Sequence, residues 1–254
     1  MNRDHLNQLV QLSQRLADPT LDYVILAEGN TSAREDEDTF WVKASGLQMR
    51  GITAAGFVRV AFERVMSLLD RPAVTDQEVR AALTAAKVEP DAGHPSVETL
   101  LHAVCLRLDG VAYVGHTHPT AINALTCSIG FETAFRGRLF PDEIVVCGFA
   151  PLLVPYTDPG VLLARKVQEL LSGYLAEYSE PPKVILLQNH GLIALGRTPQ
   201  QVEDVTAMAV KTARVLLGTY AAGGPHFLSE QAAQRIHTRP DELYRRKLPD
   251  DDED

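Results

Sequence analysis

Val111-Ala-Tyr-Val-Gly-His-Thr-His-Pro-Thr120 and Val184-Ile-Leu-Leu-Gln-Asn-His-Gly-Leu-Ile-Ala-Leu-Gly196 decide how this chain is read. The first is an apolar run entering a turn, with Pro119 suited to the first turn of a helix. In an extended strand, residues i and i+2 share a face, so His116 and His118 can aim both imidazoles at one point. The second stretch opens on a buried-strand pattern that delivers Gln188, Asn189 and His190 into a turn closed by Gly191, where backbone and ligand can approach closely. Two histidines on a strand are more often surface or hydrogen-bonded residues than ligands. A third imidazole from another strand end would complete a facial set and leave coordination positions open, as a catalytic metal site requires and a structural one does not.

Outward from these segments the pattern mixes helix and strand without internal repeats. Leu6, Leu9, Val10, Leu12 and Leu16 are spaced as one helical face near 3–17, ended by Asp18-Pro19. Thr39 to Lys43 reads as a strand followed by the tight turn Ala44-Ser45-Gly46. Thr75-Asp76 caps a helix through about Lys87, and Pro95 opens a longer one striped by Leu101, Val104, Cys105 and Leu108. Thr198-Pro199 starts a long helix to about Tyr220, which Gly223-Gly-Pro225 ends. Strands near 111–116, 143–147, 151–154 and 183–188 are expected in the middle of a sheet faced by helices, a layered α/β architecture.

The 254 residues, 45% of them hydrophobic, suffice for one large core, and a single domain over 1–248 is expected. Asp250-Asp-Asp-Glu-Asp after Pro249 reads as a solvated acidic tail, 249–254, without fixed structure. The net charge of -9 and the lack of a basic stripe argue against a nucleic-acid partner. No basic, apolar leader opens the chain and no apolar run reaches membrane-spanning length, so a soluble cytoplasmic protein without a membrane partner is expected. Cys105, Cys127 and Cys147 lack paired spacing and stand in apolar contexts, and so read as small buried hydrophobes.

Glu98 falls near the start of the helix opened by Pro95, where the dipole favours an ionised carboxylate. Without a metal nearby it is a solvated helix-start glutamate. With one, it becomes a candidate general base: a divalent ion polarising a carbonyl acidifies the adjacent C–H or O–H, and a carboxylate in reach takes the proton. His102, one turn further along the same face, is left outside the metal set as a packed or hydrogen-bonded histidine.

Gly29-Asn30 with Ser32 and Arg34, Lys43-Ala-Ser-Gly46, Pro95-Ser-Val-Glu98, the GHTHP at 115–119 and the QNHGLIALG at 188–196 together resemble the class II aldolase/adducin family. The likeness runs in order from the first helix to about Tyr220, and five ordered segments are far more specific than any one. It implies a three-layer α/β/α sandwich around a mostly antiparallel central sheet, assembled as a homotetramer with active sites at subunit interfaces. It implies Zn²⁺ on His116, His118 and His190, other divalent transition metals being compatible with imidazole ligands, and Glu98 as the catalytic carboxylate. The implied activity is reversible aldol cleavage of a ketose or ketose phosphate through a metal-stabilised enediolate. Decarboxylases and dehydratases of sugar acids or sugar phosphates in the same family are the alternative. A non-catalytic, adducin-like binding role fits less well, because adducin-type heads lack the full histidine set. An epimerase fits poorly too, because the family's epimerase carries aspartate at the position of Glu98.

The family's sugar-phosphate aldolases cradle phosphate with a threonine before the Gly-Asn turn, the asparagine, a Thr-Gly turn and two serines ahead of the glutamate. Gly29, Asn30, Ser45, Gly46 and Ser96 match as anion-binding candidates, whereas Ala27 and Val97 replace two hydroxyls. A hydrogen bond to a charged group is worth roughly 1.5–3 kcal/mol. A smaller or differently placed anion, or weakly bound phosphate, is therefore expected unless Lys43 or Arg34 supplies compensating charge. The family's catalytic tyrosine has no motif here; Tyr156 and Tyr244 are candidates only.

Overall fold

The computed structural model describes residues 3–240. Seven strands, β1 (Asn30–Arg34), β2 (Thr39–Lys43), β3 (Phe57–Ala61), β4 (Tyr113–Thr117), β5 (Leu152–Val154), β6 (Val184–Leu187) and β7 (Gly191–Gly196), form one sheet in the order β3-β2-β1-β4-β7-β6-β5. Every neighbouring pair is antiparallel except β5 with β6. Helices α1 (Arg3–Leu16), α2 (Phe62–Met66), α3 (Asp76–Ala85), α4 (Thr99–Leu106), α5 (Thr120–Thr126), α6 (Phe131–Ala134), α7 (Pro141–Cys147), α8 (Val161–Tyr178), α9 (Pro199–Ala221) and α10 (Glu230–His237) complete the described chain.

The two-residue period of the strands sorts their side chains into two cores. Phe40, Val42, Val114, Ile185, Leu187, Ile193 and Leu195 face α2, α3, α4 and α8. Their neighbours Tyr113, Val184, Leu186, Leu192 and Ala194 face α1, α5, α6, α7 and α9. Both faces of the central strands are thus covered, which is why β6 and β7 read as continuous apolar runs. Leu9, Leu12 and Leu16 are fully buried along one face of α1 and dock it on the second core, each contributing about 1.5–3 kcal/mol. Capping follows the sequence signals: Thr75 and Glu78 form a reciprocal box on α3, and Thr198 caps α9 with Pro199 in its first turn.

The expectation of a strand at 143–147 is overturned, because this segment lies in α7. The β-branched run Ile144-Val145-Val146 misled, whereas Pro141 presets the helical φ and Asp142 with Glu143 suits the positive helix start. Arg138 then pins Glu143 at 2.9 Å, and the Leu139 N–H donates to it at 2.7 Å. The middle of the sheet is β1, β4 and β7, not 151–154, which forms an edge strand. The helix expected from Pro95 begins at Thr99: Pro95 makes an isolated bridge with Ala44, and Glu98 is the N-cap residue. Cys105 and Cys147 are buried as expected, but Cys127, at the C-terminus of α5, is exposed. The acidic tail and Tyr244 lie outside the described residues. Among the described residues no helix is long and apolar enough to cross a membrane.

Candidate metal and carboxylate centre

β4, the central strand, carries His116 next to its last residue and is followed directly by His118, while β6 and β7 are joined by the turn Gln188-Asn189-His190 at the same end of the sheet. The ladder places Asn30 of β1 directly opposite His116. His116, His118 and His190 offer ligand atoms that all lie within 4.8 Å of one another, with ring centroids 4.7–5.2 Å apart.

Two glycines make this convergence possible. Gly29 holds φ 71°, and a Cβ there would stand 2.6 Å from Val24 Cγ1 and 2.9 Å from the His116 carbonyl oxygen. At Gly191 a Cβ would stand 2.6 Å from the His118 ring and 3.4 Å from the His116 ring.

The imidazole tautomers follow from their outer partners. His116 Nδ1–H donates to the Leu192 carbonyl at 3.0 Å, and His118 Nδ1–H donates to Glu28 Oε2 at 3.1 Å. Each therefore presents a lone pair at Nε2, and these two Nε2 atoms face one another at 2.9 Å. Two unprotonated nitrogens at that separation repel unless a cation or proton lies between them, so the donor set fits a divalent transition metal. Glu28 was not singled out in the sequence; its only signal is an acid immediately before the Gly-Asn turn. Its other oxygen accepts the Ile25 N–H at 2.7 Å, fixing the carboxylate in its loop.

Glu98 turns Oε1 to His190 Nε2 at 3.2 Å and to His116 Nε2 at 3.5 Å. Burial works to raise its pKa, but the two histidines outweigh it and hold the carboxyl well below its usual range. Burial works to lower His116, and the Glu98 carboxylate reverses this, raising it. His118, desolvated and beside His116, falls to about 4.

Of the anion-binding candidates, Gly46 holds φ 78° with open space beside it, Ser45 donates its N–H to the His94 carbonyl at 2.8 Å, and Ser96 Oγ is buried with no partner among the described residues. Asn30 differs from expectation: its amide is engaged by Glu98 Oε2 and His102 Nε2. Lys43 is buried and donates to the Leu47 carbonyl at 2.5 Å. Arg34 lies at the far end of β1 and donates to the Leu108 carbonyl at 3.3 Å, so it supplies no charge to this site. Tyr156 is exposed, with its hydroxyl 3.2 Å from Asp158 Oδ1.

With this geometry in view, the family model for the class II aldolase and adducin N-terminal domain matches residues 7–217. The chain belongs to the class II aldolase and adducin family. Within it, this chain is 28% identical over 193 residues to the uncharacterized oxidoreductase YuxG of Bacillus subtilis (strain 168), covering 73% of this chain and 26% of that protein. It is 30% identical over 124 residues to the 3-oxo-tetronate 4-phosphate decarboxylase of Escherichia coli (strain K12), covering 48% of this chain and 55% of the relative. With the methylthioribulose-1-phosphate dehydratase of B. subtilis it shares 24% identity, covering 80% of this chain and 87% of the relative. The chain thus spans about a quarter and about half of the lengths of the first two relatives. Among solved structures, the N-terminal class II aldolase domain of a conserved protein from Thermoplasma acidophilum superposes with TM-score 0.65 and 26% identity, covering 84% of this chain and 93% of that one. An L-fuculose 1-phosphate aldolase superposes with TM-score 0.69 and 17% identity, covering 92% and 94%, a likeness of fold. The α/β sandwich around a mostly antiparallel sheet expected from the class II aldolase motifs is therefore the fold of this chain.

Proposed function

We propose that this chain is a metal-dependent aldolase-type lyase, which makes or breaks a carbon–carbon bond near the carbonyl of a ketose or ketose phosphate. The observation that carries the reading is the position of Glu98 Oε1, 3.2 Å from His190 Nε2 and 3.5 Å from His116 Nε2, a carboxylate set against the point where three imidazoles meet. His116, His118 and His190 would hold Zn²⁺, and Co²⁺, Ni²⁺ or Mn²⁺ suits the same donors. Such an ion, when bound, supplies Lewis acidity that polarises a carbonyl and acidifies the neighbouring O–H or C–H. Glu98, kept ionised, accepts that proton at Oε1 and can return it to carbon. Glu28 holds His118 in its ligand tautomer, and the Leu192 carbonyl does the same for His116.

Ser45, Gly46 and Ser96, with the buried ammonium of Lys43 near the same turn, are the groups we assign to the far end of the substrate, Gly29 shaping the backbone beside them. Ile25, Leu26, Leu47 and Val97 leave apolar surface exposed on the loops bearing these residues, which supports a homo-oligomer with subunits meeting there. Light scattering tests that assembly, and a monomer at micromolar concentration would contradict it.

Decarboxylation or dehydration of a sugar acid or sugar phosphate is the second reading, favoured by the names of two relatives. Decarboxylation leaves an enolate that must be protonated at carbon after CO₂ departs, and dehydration removes a proton beside the carbonyl before hydroxide is expelled, so a polarised carbonyl beside one proton-carrying carboxylate serves either. A panel of ketoses and sugar acids, with and without phosphate, incubated with the metal-loaded protein and analysed for aldehyde, CO₂ or the dehydrated carbonyl product, separates them. Release of an aldehyde supports the aldolase; no metal-dependent product from any member defeats the lyase reading.

A further inference from the structure

Ser32, His102, Asn30 and Glu98 form one line of hydrogen bonds running from the sheet into the centre. Ser32 Oγ stands 2.6 Å from His102 Nδ1; His102 Nε2 meets Asn30 Oδ1; and Asn30 Nδ2 meets Glu98 Oε2. Ser32 and Asn30 are two apart on β1 and share a face, while His102 lies one turn beyond Glu98 and donates its backbone N–H to the Glu98 carbonyl at 3.1 Å. Ser32, His102 and Asn30 are all at most 5% exposed, so no water competes for these bonds.

The atom types fix the direction of the line. An amide oxygen only accepts, so His102 Nε2 carries the hydrogen and donates it. Nδ1 then bears a lone pair and accepts from the Ser32 hydroxyl. The amide nitrogen only donates, which suits an ionised carboxylate. Turned round, Asn30 would set its oxygen against the Glu98 carboxylate, a repulsive contact that neither tautomer of His102 relieves. The arrangement needs a neutral imidazole, and complete burial holds His102 neutral, its pKa lowered to about 3.

Beyond Asn30 at Oε2 and the histidines at Oε1, Glu98 has no other side-chain hydrogen bond among the described residues. It is the N-cap residue of α4 yet makes no capping bond, and its side chain remains 18% exposed at the mouth of the site. A glutamate free at three torsions would present either oxygen, or both, to the histidines. We infer that His102 is a positioning residue, which through Asn30 locks Glu98 Oε2 so that Oε1 alone faces the three histidines. This rests on the reading of Glu98 as the proton carrier, and it gives Asn30 a task other than gripping the substrate.

The test uses the full chain, zinc-loaded, as wild type, His102→Leu and His102→Gln. Long-range ¹H–¹⁵N imidazole spectra should show His102 as the neutral Nε2–H tautomer; the Nδ1–H tautomer would overturn the inference. Crystal structures should show Glu98 in one rotamer in the wild type and released from Asn30 in His102→Leu; an unmoved Glu98 would overturn it. On whichever substrate the wild type turns over, His102→Leu should lower kcat roughly 10–100-fold, with KM within about threefold and zinc content unchanged. His102→Gln, whose amide can donate from nearly the same place, should recover most of that loss. Should His102→Leu fail to fold, Ser32→Ala removes only the last donor: Asn30 Oδ1 should still hold His102 as the Nε2–H tautomer, and a shift to Nδ1–H counts against the inference. A wild-type protein that turns over nothing in the panel defeats the proposed function, while the tautomer and rotamer still decide how Glu98 is placed.

Discussion

The two ends of β4 carry opposite kinds of polar surface. At the Thr117 end three imidazoles and Glu98 turn toward one point, with Glu28 behind His118. Before Tyr113 lies a wide groove lined by Asp109, Glu180, Lys183, Arg197 and Asp204, with charges of both signs spread around solvent. Among the described residues the groove carries no converging set of metal-ligating atoms. Chemistry follows the convergence of unsatisfied atoms rather than the volume of a cleft. The largest contrast should therefore come from one substitution at each end. His116→Ala removes a fully buried ligand from the middle of the set and should abolish metal retention and lower kcat/KM by roughly 10³-fold or more. Asp204→Ala in the groove should leave both within about twofold. Metal analysis beside steady-state kinetics reads both, and a His116→Ala protein with stoichiometric metal would break the contrast.

Within the histidine end, Glu98 and Glu28 divide the work, one facing the reacting position and the other standing behind a ligand. Glu98→Gln keeps the shape but cannot accept a proton, so kcat should fall roughly 10²–10⁴-fold with metal content and fold retained. Loss of the metal would instead make Glu98 a ligand, and retained activity would remove it from the mechanism. Glu28→Gln keeps a weaker partner for His118 Nδ1 and should weaken metal binding about 10–100-fold, read by chelator competition.

His102 offers a contrast in stability. Its folded-state pKa, about 3, lies below the ordinary histidine value, so the neutral form belongs to the fold. Stability from this group is present above about pH 6.5 and is lost as pH falls from there toward 3, at up to about 1.4 kcal/mol per unit for the one proton taken up on unfolding. Denaturant unfolding of the metal-free protein should show that loss, and His102→Gln should flatten it; equal slopes would contradict the assignment.

Much of this was legible in the sequence because it depends on local period. His-x-His at a strand end, a third histidine after Val184-Ile-Leu-Leu and five ordered motifs predicted the histidine cluster and the family. What escaped was set by pairing across the sheet. The strand β1 has too few apolar residues to announce itself, yet it sits beside β4 and brings Asn30 opposite His116. The segment 143–147 has the residues of a strand, and only its Pro141 start betrays a helix. Glu28 and His102 become informative once their partners, 90 and 72 residues away, are known.

The smallest expected effect concerns phosphate, and it sharpens the contrast between the two halves of the site. The half we assign to chemistry brings three histidines and a carboxylate together, whereas the half we assign to the substrate's far end lacks two hydroxyls and one free amide. Ala27 and Val97 are both exposed, where the family's sugar-phosphate aldolases place a threonine and a serine, and Asn30 spends its amide on Glu98 and His102. What remains is the Ser96 hydroxyl, buried and unpartnered among the described residues, the open turn at Gly46 and the Lys43 ammonium. Burial lowers the pKa of Lys43 and Glu98 opposes this, so part of its charge already answers to a carboxylate within the protein. One hydroxyl, one turn and one shared cation are sparse contacts for a dianion. Each missing charged hydrogen bond is worth roughly 1.5–3 kcal/mol, so a strong preference for phosphate has lost the contacts that would supply it. Matched phosphorylated and unphosphorylated substrates, compared at fixed ionic strength, should differ by less than about tenfold in kcat/KM. Ala27→Thr with Val97→Ser should then raise the phosphorylated substrate alone. A wild-type preference of several orders of magnitude would show that other residues grip the phosphate, and would return Asn30 to the substrate.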